Sequence, residues 1–160
     1  MPMSVPSGDR NESTVEFIYN ARRLQIYTMQ RTKDWPTRWR YDLSSPLVQD
    51  ARYVYQEVKA GNKIWPTNAH EAQVRRDHFL NAQGRLDSMI GQIEIACELM
   101  EVKDKTLHEW SAMAAKEISL LTEVMKSDRK RFRFEDRYEA AMLSEAILSY
   151  LKRRWFTPAE

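Results

Sequence analysis

The chain has 160 residues, of which 30% are charged and 42% hydrophobic, and four are glycine. A chain of this length buries a core without a metal or a disulfide, and its lone Cys97 excludes an internal disulfide and a zinc ribbon. The net charge of +2 makes no case for a nucleic-acid partner unless the charges are clustered. No long apolar run or secretory leader is visible, so we expect one globular domain in the cytoplasm, away from membranes.

The N-terminal part is predicted to be a flexible arm over 1–13, rich in proline and serine, followed by a first helix. Apolar residues then recur at three- and four-residue steps up to about Arg31. Pro36 should end this helix, because proline has no amide hydrogen and steers the residue before it out of helical geometry.

The second helix is predicted from the pair Ser45-Pro46, which fits a serine N-cap followed by proline at the first helical position. Its apolar face continues to Val58. The pair Gly61-Asn62 then favours a left-handed C-cap that ends the helix.

The third helix is the longest, predicted over about 68–101. Thr67 and Asn68 compete as its N-cap, and Glu71 stands where a capping box places it relative to Asn68. Gly84 and Gly91 lie on nearly one face, and close packing of a neighbouring helix there is favoured over a weak point in the helix.

The fourth helix is predicted from the apolar spacing of 107–125, and a weaker pattern predicts a fifth over about 135–154. No segment alternates like a strand, so we expect an all-α fold. Residues 14–131 should form an up-down antiparallel four-helix bundle, with 132–160 as a C-terminal helical extension.

Catalytic and metal-binding patterns are absent from the sequence. None of the three histidines follows a glutamate at the spacing of a di-iron bundle, and there is no phosphate-binding glycine loop or nucleophile elbow. The sequence therefore predicts a non-enzyme with no metal and no cofactor.

Charge is strongly clustered along the chain. Residues 22–40 contain six basic side chains and one acidic, 94–123 contain seven acidic and three basic, and 126–137 are again basic. Tryptophans lie within or beside the basic clusters, so that cations for phosphates and flat rings for unstacked bases occur together. The alternative is that these tryptophans cover the ends of a bundle.

Trp35 and Trp39 are the candidates for base stacking. The candidate contacts to nucleic acid or a polymerase are Arg22, Arg23, Arg38, Arg40, Arg129, Lys130, Arg131, Lys152, Arg153 and Arg154.

Four short segments, in order, resemble one family of small helical proteins. The segments are Met3-Ser4-Val5-Pro6, Trp35-Pro36-Thr37-Arg38-Trp39-Arg40, Ala51-x-x-Val54-Tyr55-x-x-Val58 with Asn62, and Ser127-Asp128-x-x-Arg131. Together they are similar to the accessory variability proteins of diversity-generating retroelements. The same bundle shape is shared with proteins encoded by intervening sequences in bacterial ribosomal RNA genes.

This resemblance implies a non-catalytic accessory protein that forms a homopentameric ring. It would bind the retroelement reverse transcriptase, template RNA and its cDNA, and support error-prone cDNA synthesis during mutagenic retrohoming. The basic residues that match the family pattern are Arg22, Arg23, Arg38, Arg40 and Arg131. The alternative is a structural or protein-interaction bundle of the intervening-sequence type with no direct role on nucleic acid.

Overall fold

The computed structural model describes residues 13–134 and 137–155, with side chains described for 15–134 and 144–153. This part of the chain is helical and contains no strand, so the expected all-α class is confirmed. The α-helices are α1 (Ser13–Thr32), α2 (Ser45–Lys63), α3 (Ala69–Leu99), α4 (Asp104–Arg131) and α5 (Arg137–Trp155). The predicted arm lies outside the described residues, apart from Ser13. None of the helices in the ranges given is long and apolar enough to cross a membrane.

Helices α1 to α4 enclose one apolar core in a bundle-like arrangement. α1 packs against α2 and α4, and α3 packs against the same two helices. Each amphipathic helix thereby covers its apolar stripe with two neighbours. The largest fully buried apolar side chains are Trp110, Phe17, Phe79, Leu24, Leu47, Leu86, Met89, Leu121, Val54 and Val58.

The contacts between helices define two ends. At the first, which we call the Trp110 end, Tyr27 near the end of α1 donates a hydrogen bond to Glu109 near the start of α4 (2.9 Å). At the second, the Arg75 end, Arg75 near the start of α3 pairs with Asp128 near the end of α4 (2.6 Å). Trp110 and Asp128 are separated by about 27 Å along α4, at 1.5 Å per residue.

The connection from α1 to α2 is itself helical. A 3₁₀ helix spans Thr37–Trp39 and a π-helix spans Arg40–Ser44, which leads directly into α2. The predicted N-cap at Ser45 is therefore wrong: Ser45 is the first residue of α2, its amide donates to the carbonyl of Arg40, and Ser44 makes no side-chain capping bond.

The end of α2 also differs from the prediction. The helix passes through Gly61 and ends at Lys63, with Ile64 in extended geometry, so the left-handed C-cap at Gly61-Asn62 is wrong. Gly61 is buried, and an added Cβ would lie 2.7 Å from Cε1 of Phe79. The glycine is thus required by the close approach of a core ring and not by a turn.

The start of α3 agrees with the predicted capping box. The side chain of Asn68 accepts a hydrogen bond from the amide of Glu71 (2.9 Å). The Glu71 carboxylate accepts hydrogen bonds from the amide (2.7 Å) and the hydroxyl (2.8 Å) of Thr67, and these bonds lower the pKa of Glu71. Within the described chain nothing lies within 4 Å of a Cβ added at Gly84 or Gly91, so the expected close packing at these glycines is wrong.

Helix α5 follows α4 after a short connection. Its residues 144–153 are exposed, including Ile147 (52%) and Leu148 (53%). Among the side chains that the structure describes, those of the core come from residues that precede α5.

Candidate nucleic-acid interface

A basic cleft lies at the Trp110 end, between the end of α1 and the start of α2. We call it the α1–α2 cleft, and its volume is about 400 Å³. Its walls come from the end of α1, the residues that follow it, the π-helix and the first part of α2. The residues that line it are Thr32, Lys33, Trp35, Arg40, Ser44, Ser45, Val48, Gln49 and Arg52. No acidic side chain is among them.

The cations in and beside this cleft are exposed. Arg38, Arg40 and Arg52 are all exposed, and none of the acidic side chains in the described ranges forms an ion pair with them. Lys33 approaches Asp34 at 3.9 Å, where both side chains are well solvated. Such an exposed pair contributes little, so Lys33 remains available to an anion.

Arg22 and Arg23 are also exposed, but they lie in the middle of α1. They precede Lys33 by ten or more residues, which is roughly 15 Å along a helix axis. The exposed side of α1 also carries Tyr19 (61%) and Ile26 (41%). A strand of nucleic acid that contacts both these arginines and the cleft must therefore run along α1.

The two tryptophans predicted to stack bases are partly covered. Trp35 is half-buried against the core, with its ring 6.0 Å from that of Trp110. Trp39 is half-buried too, its Nε1 is buried without a hydrogen-bond partner, and the guanidinium of Arg38 lies 5.5 Å from its ring. Trp35 thus covers the end of the core, which is the structural alternative to base stacking given in the sequence analysis.

Tyr41 is a stacking candidate that sequence reasoning missed. It belongs to the π-helix and is 81% exposed, beside Arg40. The motif Trp39-Arg40-Tyr41 contained the signal, because an aromatic residue next to an arginine in a connection is typical of single-strand binding sites. Arg52 was missed as well, because it lies outside the basic run in the sequence and joins the cleft only through the fold.

An acidic surface adjoins this basic one. The connection from α3 to α4 reaches the Trp110 end, where Tyr27 donates its hydroxyl to Glu109. Burial and this carboxylate raise the pKa of Tyr27. The acidic side chains of this region are Glu94, Glu98, Glu101, Asp104 and Glu109. The Trp110 end therefore carries these acidic residues, with Lys103 and Lys105 among them, as well as the cations of the α1–α2 cleft.

The predicted contacts Arg129, Lys130 and Arg131 lie at the other end of the fold. All three are exposed, and the guanidinium of Arg131 lies 6.0 Å from the ring centre of Trp65. Trp65 is 67% exposed and was not predicted as a site residue, although it sits in a short connection after a lysine. The structure does not bring this group together with the α1–α2 cleft.

Asp128, near the end of α4, is paired with the buried Arg75 of α3. The guanidinium is buried, and it donates to the Asp128 carboxylate (2.6 Å) and to the carbonyls of Gly61 (2.8 Å) and Ile64 (3.0 Å). It therefore joins the end of α2, the start of α3 and the end of α4. These contacts give both Arg75 and Asp128 a structural role.

The predicted contacts on α5 are Lys152, Arg153 and Arg154. Lys152 and Arg153 are exposed, and Arg153 donates a hydrogen bond to Ser149 (3.4 Å). The side chain of Arg154 lies outside the described set.

One acid with a strongly raised pKa, Glu117, does not line the α1–α2 cleft. Glu117 is fully buried between α4 and α1, where burial raises its pKa to about 7. One carboxylate oxygen accepts a hydrogen bond from Asn20 (2.8 Å), and the other has no partner. Burial also raises the pKa of the Cys97 thiol. In the described ranges no group of three or more potential ligand side chains could hold a metal ion.

Comparison with models of known protein families gives no match, and comparison with curated proteins gives none either.

Proposed function

We propose that this protein is a non-catalytic, nucleic-acid-binding accessory protein of a retroelement reverse transcriptase. In this proposal α1 to α4 form an up-down four-helix bundle, which holds template RNA and its cDNA for the polymerase. It thereby supports mutagenic cDNA synthesis and retrohoming in the cytoplasm.

One observation carries the nucleic-acid part of the proposal: Arg38, Arg40 and Arg52 around the α1–α2 cleft are exposed and form no ion pair with an acidic side chain in the described ranges. Arg40 and Arg52 line the cleft, and the exposed Tyr41 next to Arg40 in the chain supplies a flat ring. Cations that track a backbone and an aromatic platform for a base are the two parts of a single-strand site.

The resemblance described above supports the choice of partner. The Trp35–Arg40 segment forms the connection beside the cleft. A homopentamer would repeat this basic side around one axis, so that a small net charge per chain becomes a continuous belt. The reverse transcriptase would then be recruited to RNA already bound on that belt.

The RNA-binding proposal is tested with a fluorescent 20-nucleotide single-stranded RNA in an anisotropy titration. We expect binding that weakens steeply with salt, because phosphate neutralisation releases counterions. Combined alanine substitution of Arg22, Arg23, Arg38 and Arg40 should lower affinity at least 100-fold while helicity and oligomer mass stay unchanged.

The matched control removes the same charge elsewhere. Lys59, Lys63, Lys103 and Lys126 are exposed, and their combined substitution by alanine should change affinity only a few-fold. An equal loss in both quadruple variants would refute the assigned site, and a wild-type protein that binds no RNA at low salt would refute the function.

A protein-interaction bundle is the second candidate, and exposed apolar side chains favour it. Met29 (48%) and Ile95 (51%) are exposed on α1 and α3, with further examples on both helices. Native mass spectrometry that finds a defined oligomer, together with no RNA binding at low salt, would favour this function. A monomer that binds RNA would remove the ring from the first proposal.

A further inference from the structure

We infer that the α1–α2 cleft binds one phosphodiester of a single-stranded nucleic acid, with Lys33, Arg40 and Arg52 as its cationic ligands. This inference rests on the proposed function and names the ligand group that its central site would take. It also assigns Lys33 and Arg52, which no sequence motif marked.

The three cations converge from three different elements. Lys33 follows the last residue of α1, Arg40 opens the π-helix, and Arg52 lies in the second turn of α2. Ser45, Val48 and Arg52 are spaced by three and four residues, so they lie on one side of α2. Convergence from separate elements distinguishes this cleft from a row of cations on one solvated helix.

The first acidic residue of α2, Asp50, is hydrogen-bonded to side chains of α3. Asp50 is buried, and its carboxylate accepts hydrogen bonds from Ser88 (2.7 Å), Gln92 (3.0 Å) and Arg85 (3.3 Å) of α3. Its charge is therefore balanced on the α3 side, and it is not among the residues that line the cleft. Apart from the solvated pair of Lys33 with Asp34 (3.9 Å), none of the acidic side chains in the described ranges forms an ion pair with the cations that line the cleft.

Neutral groups complete a site for phosphate oxygens. Ser44, Ser45 and Gln49 line the cleft, and none of their side chains forms a hydrogen bond within the described chain. The hydroxyl of Thr32, by contrast, donates a hydrogen bond to the carbonyl of Thr28 (2.8 Å) and has no hydrogen to donate to a phosphate. Hydroxyl and amide groups of this kind commonly hold phosphate oxygens beside arginine and lysine.

The cleft at the Arg75 end shows what a different lining does. Its volume is similar, about 390 Å³, and Arg76 and Arg129 line it, but so do Phe132, Phe134 and the carboxylate of Asp128. Its cations therefore share the lining with aromatic rings and a carboxylate, whereas no carboxylate is among the described residues that line the α1–α2 cleft.

The test measures how RNA affinity depends on salt. With a fluorescent 12-nucleotide single-stranded RNA, each lost phosphate contact should flatten the slope of log affinity against log salt by about 0.7. Because the cleft binds one phosphodiester, the triple variant of Lys33→Gln, Arg40→Gln and Arg52→Gln should give that change, and Arg52→Gln alone should give part of it. Lys126→Gln, an exposed lysine on α4, is the control and should leave the slope unchanged.

Two further arms identify the ligand. A 12-mer with a neutral methylphosphonate backbone should bind wild type and Arg52→Gln with equal affinity. Inorganic phosphate should compete no better than chloride at equal ionic strength; strong competition that Arg52→Gln abolishes would instead mean a site for free phosphate and overturn the inference.

The outcomes separate this inference from the proposed function. If RNA binds but the Arg52→Gln and triple variants keep the wild-type slope, the phosphate site is wrong and the broader function stands. If wild type binds no RNA, the proposed function fails first. Circular dichroism and oligomer mass should be unchanged in every variant, since the substituted residues are exposed.

Discussion

At the Arg75 end a guanidinium is buried among one carboxylate and two carbonyls, whereas at the Trp110 end the guanidiniums of Arg40 and Arg52 face solvent without an acidic partner. Desolvating a charge is costly unless it is paired, so the buried arginine must keep its partners and is committed to the fold. The exposed arginines keep their hydration and can exchange it for phosphate. The same residue type therefore has a structural role at one end and a binding role proposed at the other.

The largest effect should come from Arg75→Ala. It leaves the Asp128 carboxylate and the carbonyls of Gly61 and Ile64 without their donor, which should lower the free energy of unfolding by about 3–5 kcal/mol. Urea unfolding followed by circular dichroism measures it. Arg129→Ala, an exposed neighbour of Asp128, should cost no more than about 0.5 kcal/mol. Equal losses of unfolding free energy in the two variants would show that the contacts of Arg75 add no particular stability.

Glu117 should make stability depend on pH in the opposite sense to most carboxylates. Its pKa is raised to about 7 in the folded protein, against 4.5 for an ordinary glutamate, so the folded state binds the proton more tightly. Stability should therefore fall by about 3 kcal/mol as the pH rises from below 4.5 to above 7.

Unfolding titrations of Glu117→Gln test that dependence. In this variant the free energy of unfolding should no longer fall between pH 4.5 and 7. The variant should also be more stable than wild type at pH 8. Glu123→Gln, an exposed glutamate on the same helix, should keep the wild-type dependence. A Glu117→Gln profile that still falls by the wild-type amount would show that another group titrates.

Two helical glycines should respond to alanine with opposite signs. Gly61→Ala places a Cβ 2.7 Å from the ring of Phe79 and should lower the free energy of unfolding by about 1–3 kcal/mol. Gly84→Ala meets open space and should raise it by roughly 0.5–1 kcal/mol. Thermal and urea unfolding of both variants measure the pair, and a stabilising Gly61→Ala would show that Phe79 has room to move.

The smallest effect on stability is expected at the Trp110 end. Arg40→Gln and Arg52→Gln should each change the free energy of unfolding by less than about 0.5 kcal/mol, because no carboxylate depends on them. Tyr41→Ala should be similarly mild, yet weaken single-stranded RNA binding by about 1–3 kcal/mol if a base stacks on it. Tyr41→Phe, which keeps the ring, should bind like wild type in the same anisotropy titration.

The local patterns predicted the helices well, because amphipathic spacing and caps are written in neighbouring residues. The third helix was expected over 68–101 and spans Ala69–Leu99, with its capping box as predicted. The role of Gly61 was wrong, because it depends on Phe79 across the core. A local motif favours a turn, and only the packed structure shows that a ring needs the space.

The charged residues were harder to predict for the same reason. Their clusters are visible in the sequence, but which clusters share an end depends on how the helices pair. Arg75 meets Asp128 across 53 positions, and nothing in the local sequence distinguishes it as the buried cation from the half-buried Arg76 or the exposed Arg85. Arg52 likewise enters the cleft from the next helix, while Arg129 to Arg131 lie at the far end.

The π-helix Arg40–Ser44 sets the rotation of the Thr37–Trp39 segment, which carries Arg38, relative to α2, which carries Arg52. Its hydrogen-bonded ring holds one residue more than an α-helical turn, as the bond from the amide of Ser45 to Arg40 shows. Removing one residue here would restore the α-helical repeat and rotate Thr37–Trp39 by about 100° relative to α2. Arg38 would then swing away while Arg52 stayed in place. The extra residue thus acts as a spacer that sets the angle between Arg38 and the cations of α2.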